Sequence, residues 1–240
     1  METYMLKFTE FLREDLEKVG DQLGSNPGGV YKNSKTGEKH YVKFYQNGDQ
    51  AKSEALTAKI HEHMGIHTLK PEYKNINGKH AVVTGWNDKL EKMKPHHFEG
   101  LTKDQQHDIS KMYHAAILTK NWDIVGLDHD NIERHKETGK LHSVDAGGTF
   151  NFRAQGGHKD YGPDVDEKKS LVSRPGEAST HVFTHVFKQN PEAKKHGLDT
   201  VKKMNMDHIK GLFKNSGLDN HEELYNNFAK RREKLLRDED

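Results

Sequence analysis

The sequence contains no cysteine and only 6 prolines in 240 residues. Disulfides, thiol nucleophiles and every zinc site built on thiolates are thereby excluded. Long apolar runs are missing too: the longest clean stretches, such as Ala115 to Leu118, are far too short to cross a bilayer, so no membrane insertion is expected. The opening residues, METYMLKFTEFLREDLEKV, alternate charged with apolar positions and lack the unbroken apolar segment of a secretion signal. A soluble, cytoplasmic protein is the expectation. Neither sign of charge dominates, with 38 Lys+Arg against 37 Asp+Glu, and this balance gives no general nucleic-acid signal. Histidine is plentiful instead: the 18 imidazoles make the chain more cationic as pH falls through about 6.5. A hydrophobic share of 32% gives a lean core, still adequate for one two-lobed domain or two small ones at this length.

Apolar residues at Met5, Leu6, Phe8, Phe11, Leu12, Leu16 and Val19 predict a helix ending at Gly20. Strand-type stretches follow at Gly29–Lys32 and His40–Tyr45, then a helix over 50–64. A hairpin comes next, from Glu72–Ile76 and His80–Thr84 around Asn77-Gly78, a pair that tolerates positive φ at both positions. Beyond residue 87 the pattern turns helix-rich, which places a lobe boundary there, dividing 1–86 from 87–240. Thr102 and Gln105 form a capping-box pair ahead of a helix with Ile109, Met112, Tyr113, Ala116 and Ile117 on one face. A short strand is expected over Leu141–Val144, and residues 154–176 are polar with little periodicity. Helical patterns return near 178–188, 200–215 and 221–236. The fold class expected is α+β, with a strand-rich first lobe and a helical second one.

Three features of the first lobe suit phosphate chemistry. A glycine-rich turn, Gly24 to Gly29, can bring backbone N–H groups close to phosphate oxygens; Lys43, inside the next strand, supplies a fixed positive charge; Glu54, early in the following helix, can hold that lysine in place. In the second lobe the loop Asn121 to Ile132 gathers Asp123, Asp128, Asp130 and Asn131, and Asp145 follows at the end of a strand. Hard oxygen ligands of this kind suit Mg²⁺ better than Zn²⁺, and a remaining carboxylate can orient a hydroxyl nucleophile.

In this order the parts resemble the protein-kinase-like fold in its atypical branch, near HipA-type and phosphoinositide-type kinases. Tyr41-Val42-Lys43-Phe44 is similar to the lysine strand, Ser53-Glu54-Ala55-Leu56 to the start of the helix that carries the paired glutamate, and His80 to Trp86 to the strand leading to the hinge. Asp145-Ala146-Gly147 stands where the Asp-Phe-Gly metal motif belongs. The resemblance implies ATP and Mg²⁺, with Gly28, Gly29, Lys43, Thr84 and Trp86 around the nucleotide. Asp123, or alternatively Asp128, would be the catalytic aspartate, and Asp145 would bind metal with either Asp128 or Asn131. A His-Arg-Asp triplet, a complete Gly-x-Gly-x-x-Gly and an Ala-Pro-Glu element are all missing. The Trp-Asp, Asp-Asn and Asp-x-Gly-Gly…Arg-Ala-x-Gly layout is also similar to an uncharacterised bacterial and phage group, which adds Arg153 to the site.

The activity so implied is phosphoryl transfer from ATP to a hydroxyl of a protein or small molecule. Three alternatives stand beside it: nucleotidyl transfer (AMPylation) on the same parts, a catalytically inactive kinase-like interaction module, and an actin-like or sugar-kinase-type ATP enzyme through Asp145-Ala146-Gly147-Gly148-Thr149. A P-loop fails because Val30-Tyr31 replaces the required Lys-Ser/Thr, and a zincin site fails because Gly65 stands four positions after His61. No serine has the surroundings of a nucleophile elbow.

Overall fold

Strand alternation builds the first layer and decides which side chains meet the first helix. In the computed structural model, which describes residues 16–24 and 26–237, strands β1 (Leu16–Gly20), β2 (Gly28–Asn33) and β3 (Lys39–Tyr45) lead into helix α1 (Gly48–His63). The two-residue strand β4 (His67–Thr68) precedes the hairpin β5 (Glu72–Ile76) and β6 (Lys79–Gly85). Five of these strands form an antiparallel sheet in the order β1-β2-β3-β6-β5. On one face Val42, Ala81 and Val83 pack together; on the other Tyr45, Ala51 and Val82 join the sheet to α1. Asn77 and Gly78 both adopt positive φ, as their hairpin turn requires.

The helix expected over residues 5–19 is corrected where it can be seen. Its first part, 1–15, lies outside the described residues, and Leu16–Gly20 is strand, paired with β2 from Leu16 opposite Asn33 to Gly20 opposite Val30. Helical spacing and β pairing both suit so short an apolar pattern, and the partner strand decides. The glycine-rich turn therefore joins two strands rather than a helix and a strand. Gly28 and Gly29 have left the turn altogether and stand in β2, opposite Lys43 and Val42.

A second sheet, ordered β4-β9-β8-β7, draws its strands from before and after the helix Lys103–Thr119; it contains β7 (Leu90–Lys92), β8 (Ile132–His135) and β9 (Leu141–Ser143). Its strand β4 comes from before residue 86 and pairs parallel with β9. Helix α2 (Lys103–Thr119) opens with the expected reciprocal cap, Gln105 N–H to Thr102 Oγ1 at 3.3 Å and Thr102 N–H to Gln105 Oε1 at 2.9 Å. Its buried face, Ile109, Met112, Tyr113, Ala116 and Ile117, is the axis of the main core.

Around it pack α3 (Glu167–Ser173), α4 (Ala178–Gln189), α5 (Pro191–Lys202), α6 (Met206–Lys214) and α7 (His221–Arg237). The single helix expected over 200–215 is two: Asn205 stops the chain between them and caps α6, its Oδ1 accepting from His208 N–H at 3.0 Å. Among the described residues no helix is long and apolar enough to cross a membrane.

Candidate active site

Lys43 and Tyr45 are two residues apart in β3, so both project from the same face, toward α1. There Lys43 Nζ lies 3.1 Å from Glu54 Oε1, and Tyr45 OH donates to Glu54 Oε2. The third partner comes from 102 positions further along the chain: Asp145, just beyond β9, places Oδ2 2.9 Å from the same ammonium. Lys43 and Glu54 are buried, whereas the Asp145 side chain remains 41% exposed toward the cleft.

Burial disfavours the Lys43 ammonium, but the carboxylates of Asp145 and Glu54 outweigh it and hold its pKa well above the ordinary value. The two acids diverge in this setting. Burial pushes Glu54 up, with Lys43 offsetting only part of the effect. Burial pushes Asp145 the same way, but Lys43 and the Gly147 N–H, 2.9 Å from Oδ1, prevail and lower its pKa.

Backbone packing explains the glycines after Asp145. A Cβ on Gly147 would lie 2.9 Å from Tyr45 OH and 3.3 Å from Asp145 Oδ1. From α1, Gln50 Nε2 donates to the carbonyls of Gly147 and Arg153, each at 3.2 Å, which ties the segment after Asp145 to the helix that carries Glu54. Thr149 is wholly buried and bonded to Thr57 and to Ala146 O, both at 3.0 Å. A Thr149 so enclosed cannot meet a phosphate, and the Asp-x-Gly-Gly-Thr motif follows β9 instead of opening a fold; the actin-like reading is set aside on both counts.

The loop after α2 is held by its own amides. Asn121 Oδ1 accepts from Asp123 N–H at 2.9 Å, and Asn131 Nδ2 donates to Asp123 O at 2.6 Å. Gly126, at φ +79°, passes so close to Asp130 that a Cβ there would be 2.3 Å from its Oδ1. Burial, then the nearby charge of Asp145, pushes the Asp123 carboxyl up to about 6.

Two adjoining cavities run through this region. The inner one, about 350 Å³, is walled by Leu23, Tyr41, Leu69, Thr84, Trp86 and Val144. An outer one of about 720 Å³ is lined by Trp122, Asp123, Asp128, Arg153, Lys159 and Arg174. Gly24, Tyr41, Lys43, Asp130, Asn131 and Asp145 border both. The structure thus gathers Lys43, Glu54, Asp123, Asn131, Asp145, Thr84, Trp86 and Arg153 along one cleft, with the exposed Asp128 at its outer end. It does not bring Gly28 and Gly29 to the walls, where Gly24 and Asn26 stand instead. The strand pairing of Gly28 and Gly29 explains this, because a Cβ on Gly28 would fall 2.3 Å from Val42 O.

Sequence reasoning missed Lys159 and Arg174. Both lie in or beside the aperiodic stretch, where no periodicity marks an inward-facing residue. As a metal site, the cleft offers the Asp145 carboxylate and the buried Asn131 amide; among the described residues no cluster of three or more His, Cys, Asp or Glu is poised to hold a metal ion. One carboxylate and one amide, with further ligands left to a phosphate and water, fit a hard cation such as Mg²⁺.

No protein-family model matches the chain, and no curated protein matches it. Among solved structures it is similar to the proinflammatory kinase CtkA of Helicobacter pylori, with 13% identity, 95% of each chain covered and a TM-score of 0.62. The Shewanella oneidensis MR-1 toxin–antitoxin HipA, HipB and operator DNA complex matches at 10% identity, covering 99% of this chain and 72% of that one with a TM-score of 0.41. The choline kinase LicA of Streptococcus pneumoniae matches at 12% identity, covering 99% and 98% with a TM-score of 0.32. On the first of these, which spans nearly all of both chains, the protein has an atypical protein-kinase-like fold.

Proposed function

We propose that the chain is an ATP- and Mg²⁺-dependent phosphotransferase acting on a hydroxyl of a protein or small molecule, with residues 1–86 as the nucleotide-binding lobe and 87–240 as the catalytic one. The observation that carries this reading is the meeting of Lys43, Glu54 and Asp145 at 3.1 and 2.9 Å, on a cleft that also contains Asp123. A buried lysine held by a helical glutamate gives a positive charge of fixed position, which costs no reorganisation when a phosphate arrives. The inner cavity suits a purine, between Tyr41, Leu69 and Val144, with Thr84 and Trp86 at its edge. Lys43 would pair with the phosphates, with Gly24 and Asn26 on the cleft wall beside it. Asp145 and Asn131 would hold Mg²⁺, whose charge offsets that of the triphosphate.

Asp123 then takes the role of orienting the acceptor hydroxyl and receiving its proton. Both Asp123 and Asp128 line only the outer cavity, but Asp123 is half-buried with a carboxyl pushed up to about 6, which favours it over the exposed Asp128 for that role. CtkA is described as a kinase, and this accords with the same reading.

Incubation with γ-labelled and α-labelled ATP, alone and with candidate acceptors, tests it. Transfer of the γ label that disappears in Lys43→Met and Asp123→Asn is the expected result. Transfer of the α label would replace phosphorylation by nucleotidylation on the same residues. If ATP with Mg²⁺ gives neither transfer nor a rise in melting temperature, the interaction-module reading takes its place.

A further inference from the structure

The outer end of the cleft carries a cluster of cations that the roles above do not use, beside the carboxylates of Asp123, Asp128 and Glu177. Four cations surround the ring of Trp122: Lys159 Nζ at 5.1 Å from its centroid, the Arg174 and Arg153 guanidinium carbons at 5.4 and 5.5 Å, and Lys120 Nζ at 5.8 Å. An indole face attracts a cation, but one ring cannot neutralise four. Asp123 and Asp128 line the same cavity, but neither is ion-paired with these cations among the described residues. Neither arginine is ion-paired among the described residues, and Glu177, which lines the same end, pairs with neither. Glu167 is committed elsewhere, to Arg231 and to Trp122 Nε1.

Lys159 is buried, donating to Gly148 O at 2.8 Å and to Lys120 O, so its charge is fixed in place. Burial, and then the charges of Lys120, Arg153 and Arg231, bring its pKa down to about 7 even beside Glu167. Like charges packed around one ring, with no carboxylate paired to either arginine, raise the energy of the empty site, and a bound anion relieves it.

Position along the cleft selects the source of that anion. Arg153, Lys159 and Arg174 border the outer cavity but not the inner one, whereas Lys43, Asn131 and Asp145 border both. A nucleotide seated in the inner cavity would spend its triphosphate on the shared residues, leaving the outer cations for another molecule. Asp123, next in sequence to Trp122, faces the same space.

We propose that Arg153, Arg174 and Lys159 form a phosphate-binding subsite over Trp122, so that the acceptor carries a phosphate group near the hydroxyl that Asp123 orients. Planar guanidinium groups give a phosphate paired N–H donors, and a dianion matches several cations better than a single carboxylate does. The assignment to the acceptor rests on the phosphotransferase reading; the existence of the anion seat does not.

Trp86→Phe leaves Trp122 as the sole indole, because the sequence has 2 tryptophans, and its emission can be followed while inorganic phosphate is titrated against chloride at equal ionic strength. A saturable change with phosphate is expected. Arg153→Gln and Arg174→Gln, both exposed positions, should each weaken it tenfold or more, and Lys89→Met, at a surface lysine paired with Glu137, should leave it within twofold. With a non-hydrolysable ATP analogue bound, the phosphate response should persist.

A response that follows ionic strength alone, or survives in the double arginine variant, overturns the subsite. Competition between phosphate and the analogue would mean that the cluster holds the nucleotide's own tail, which overturns its assignment to the acceptor. A phosphate response in the Trp86→Phe protein, with no rise in melting temperature when the unsubstituted chain meets the analogue and Mg²⁺, would support the subsite and refute only the phosphotransferase reading.

Discussion

Asp123 carries a charge in a place that resists it. Its carboxyl stands at about 6, raised by burial and by Asp145, against about 3.9 in an unfolded chain. A base that must lose its proton before it can act gives a rate that climbs with pH, so kcat/KM should rise through about 6 and level off above it. Asp123→Asn should lower kcat by about 10²–10⁴-fold and change nucleotide affinity by less than about threefold. The same shift sets a stability effect of opposite sense. Because the folded value lies above the unfolded one, the folded state binds the extra proton between about 4 and 6, and stability falls as pH rises through that window. Removing the charge should therefore stabilise the fold at pH 7.5 by about 1–2 kcal/mol, a figure already reduced for partial solvent screening. At pH 4 the variant should gain nothing. Urea melts at the two pH values check this, and an equal effect at both would contradict it.

Strand β2 can be tested at a residue that lines neither cavity of the cleft. A Cβ on Gly28 would lie 2.3 Å from Val42 O and 3.3 Å from Lys43 Cα, both backbone atoms of the neighbouring strand. Gly28→Ala should thus separate β2 from β3 and cost about 2–3 kcal/mol in chemical denaturation. Gly24 has nothing within 4 Å of a Cβ, so Gly24→Ala should stay within about 0.5 kcal/mol. Equal losses for the two would remove the argument from close approach. This contrast also marks what the sequence could convey. A glycine-rich segment before a strand lysine was legible, but which glycine faces the cleft depends on the register of β2 against β3, and β1, which pairs with β2 on its other side, has a Leu16 and Val19 that fit a helical spacing equally well. The β5–β6 hairpin and the start of α2 were readable because Asn77-Gly78 and the Thr102–Gln105 cap are local signals. Strands β4, β7 and β8 have two to four residues each, too few to show a period. The split between α5 and α6 rests on one asparagine inside an otherwise helical pattern. Lys43, Glu54 and Asp145 could be picked out as types in a sensible order, whereas the cations around Trp122 are joined only by the fold.

The molecule as a whole is tied together by a side chain far from the cleft. Arg231, on α7, is fully buried; its guanidinium donates to Ile117 O at 3.0 and 2.7 Å, to Gly162 O at 2.9 Å and to the carbonyl of Asp164, and pairs with Glu167. Glu167 in turn accepts from Trp122 Nε1 at 3.2 Å. A single chain of polar contacts thus runs from the last helix through α3 to the residue beside Asp123. Arg231→Met would leave the Glu167 carboxylate buried without its cation and several carbonyls without a donor, so a loss of about 3–5 kcal/mol is expected in denaturant unfolding. Removing the second charge as well should recover part of that loss, making Arg231→Met/Glu167→Leu more stable than Arg231→Met alone. The two variants separate what holds the fold from what positions the loop, because the single one keeps the carboxylate that accepts from Trp122 Nε1 and the double one does not. If that contact fixes Trp122, emission from this indole should shift toward that of an exposed one in the double variant, even where most of the stability has returned. A double variant with native emission would show that the loop after α2 is held by Asn121 and Asn131 alone. A single variant that loses less than about 1 kcal/mol would show instead that water reaches Glu167 as soon as the guanidinium is gone.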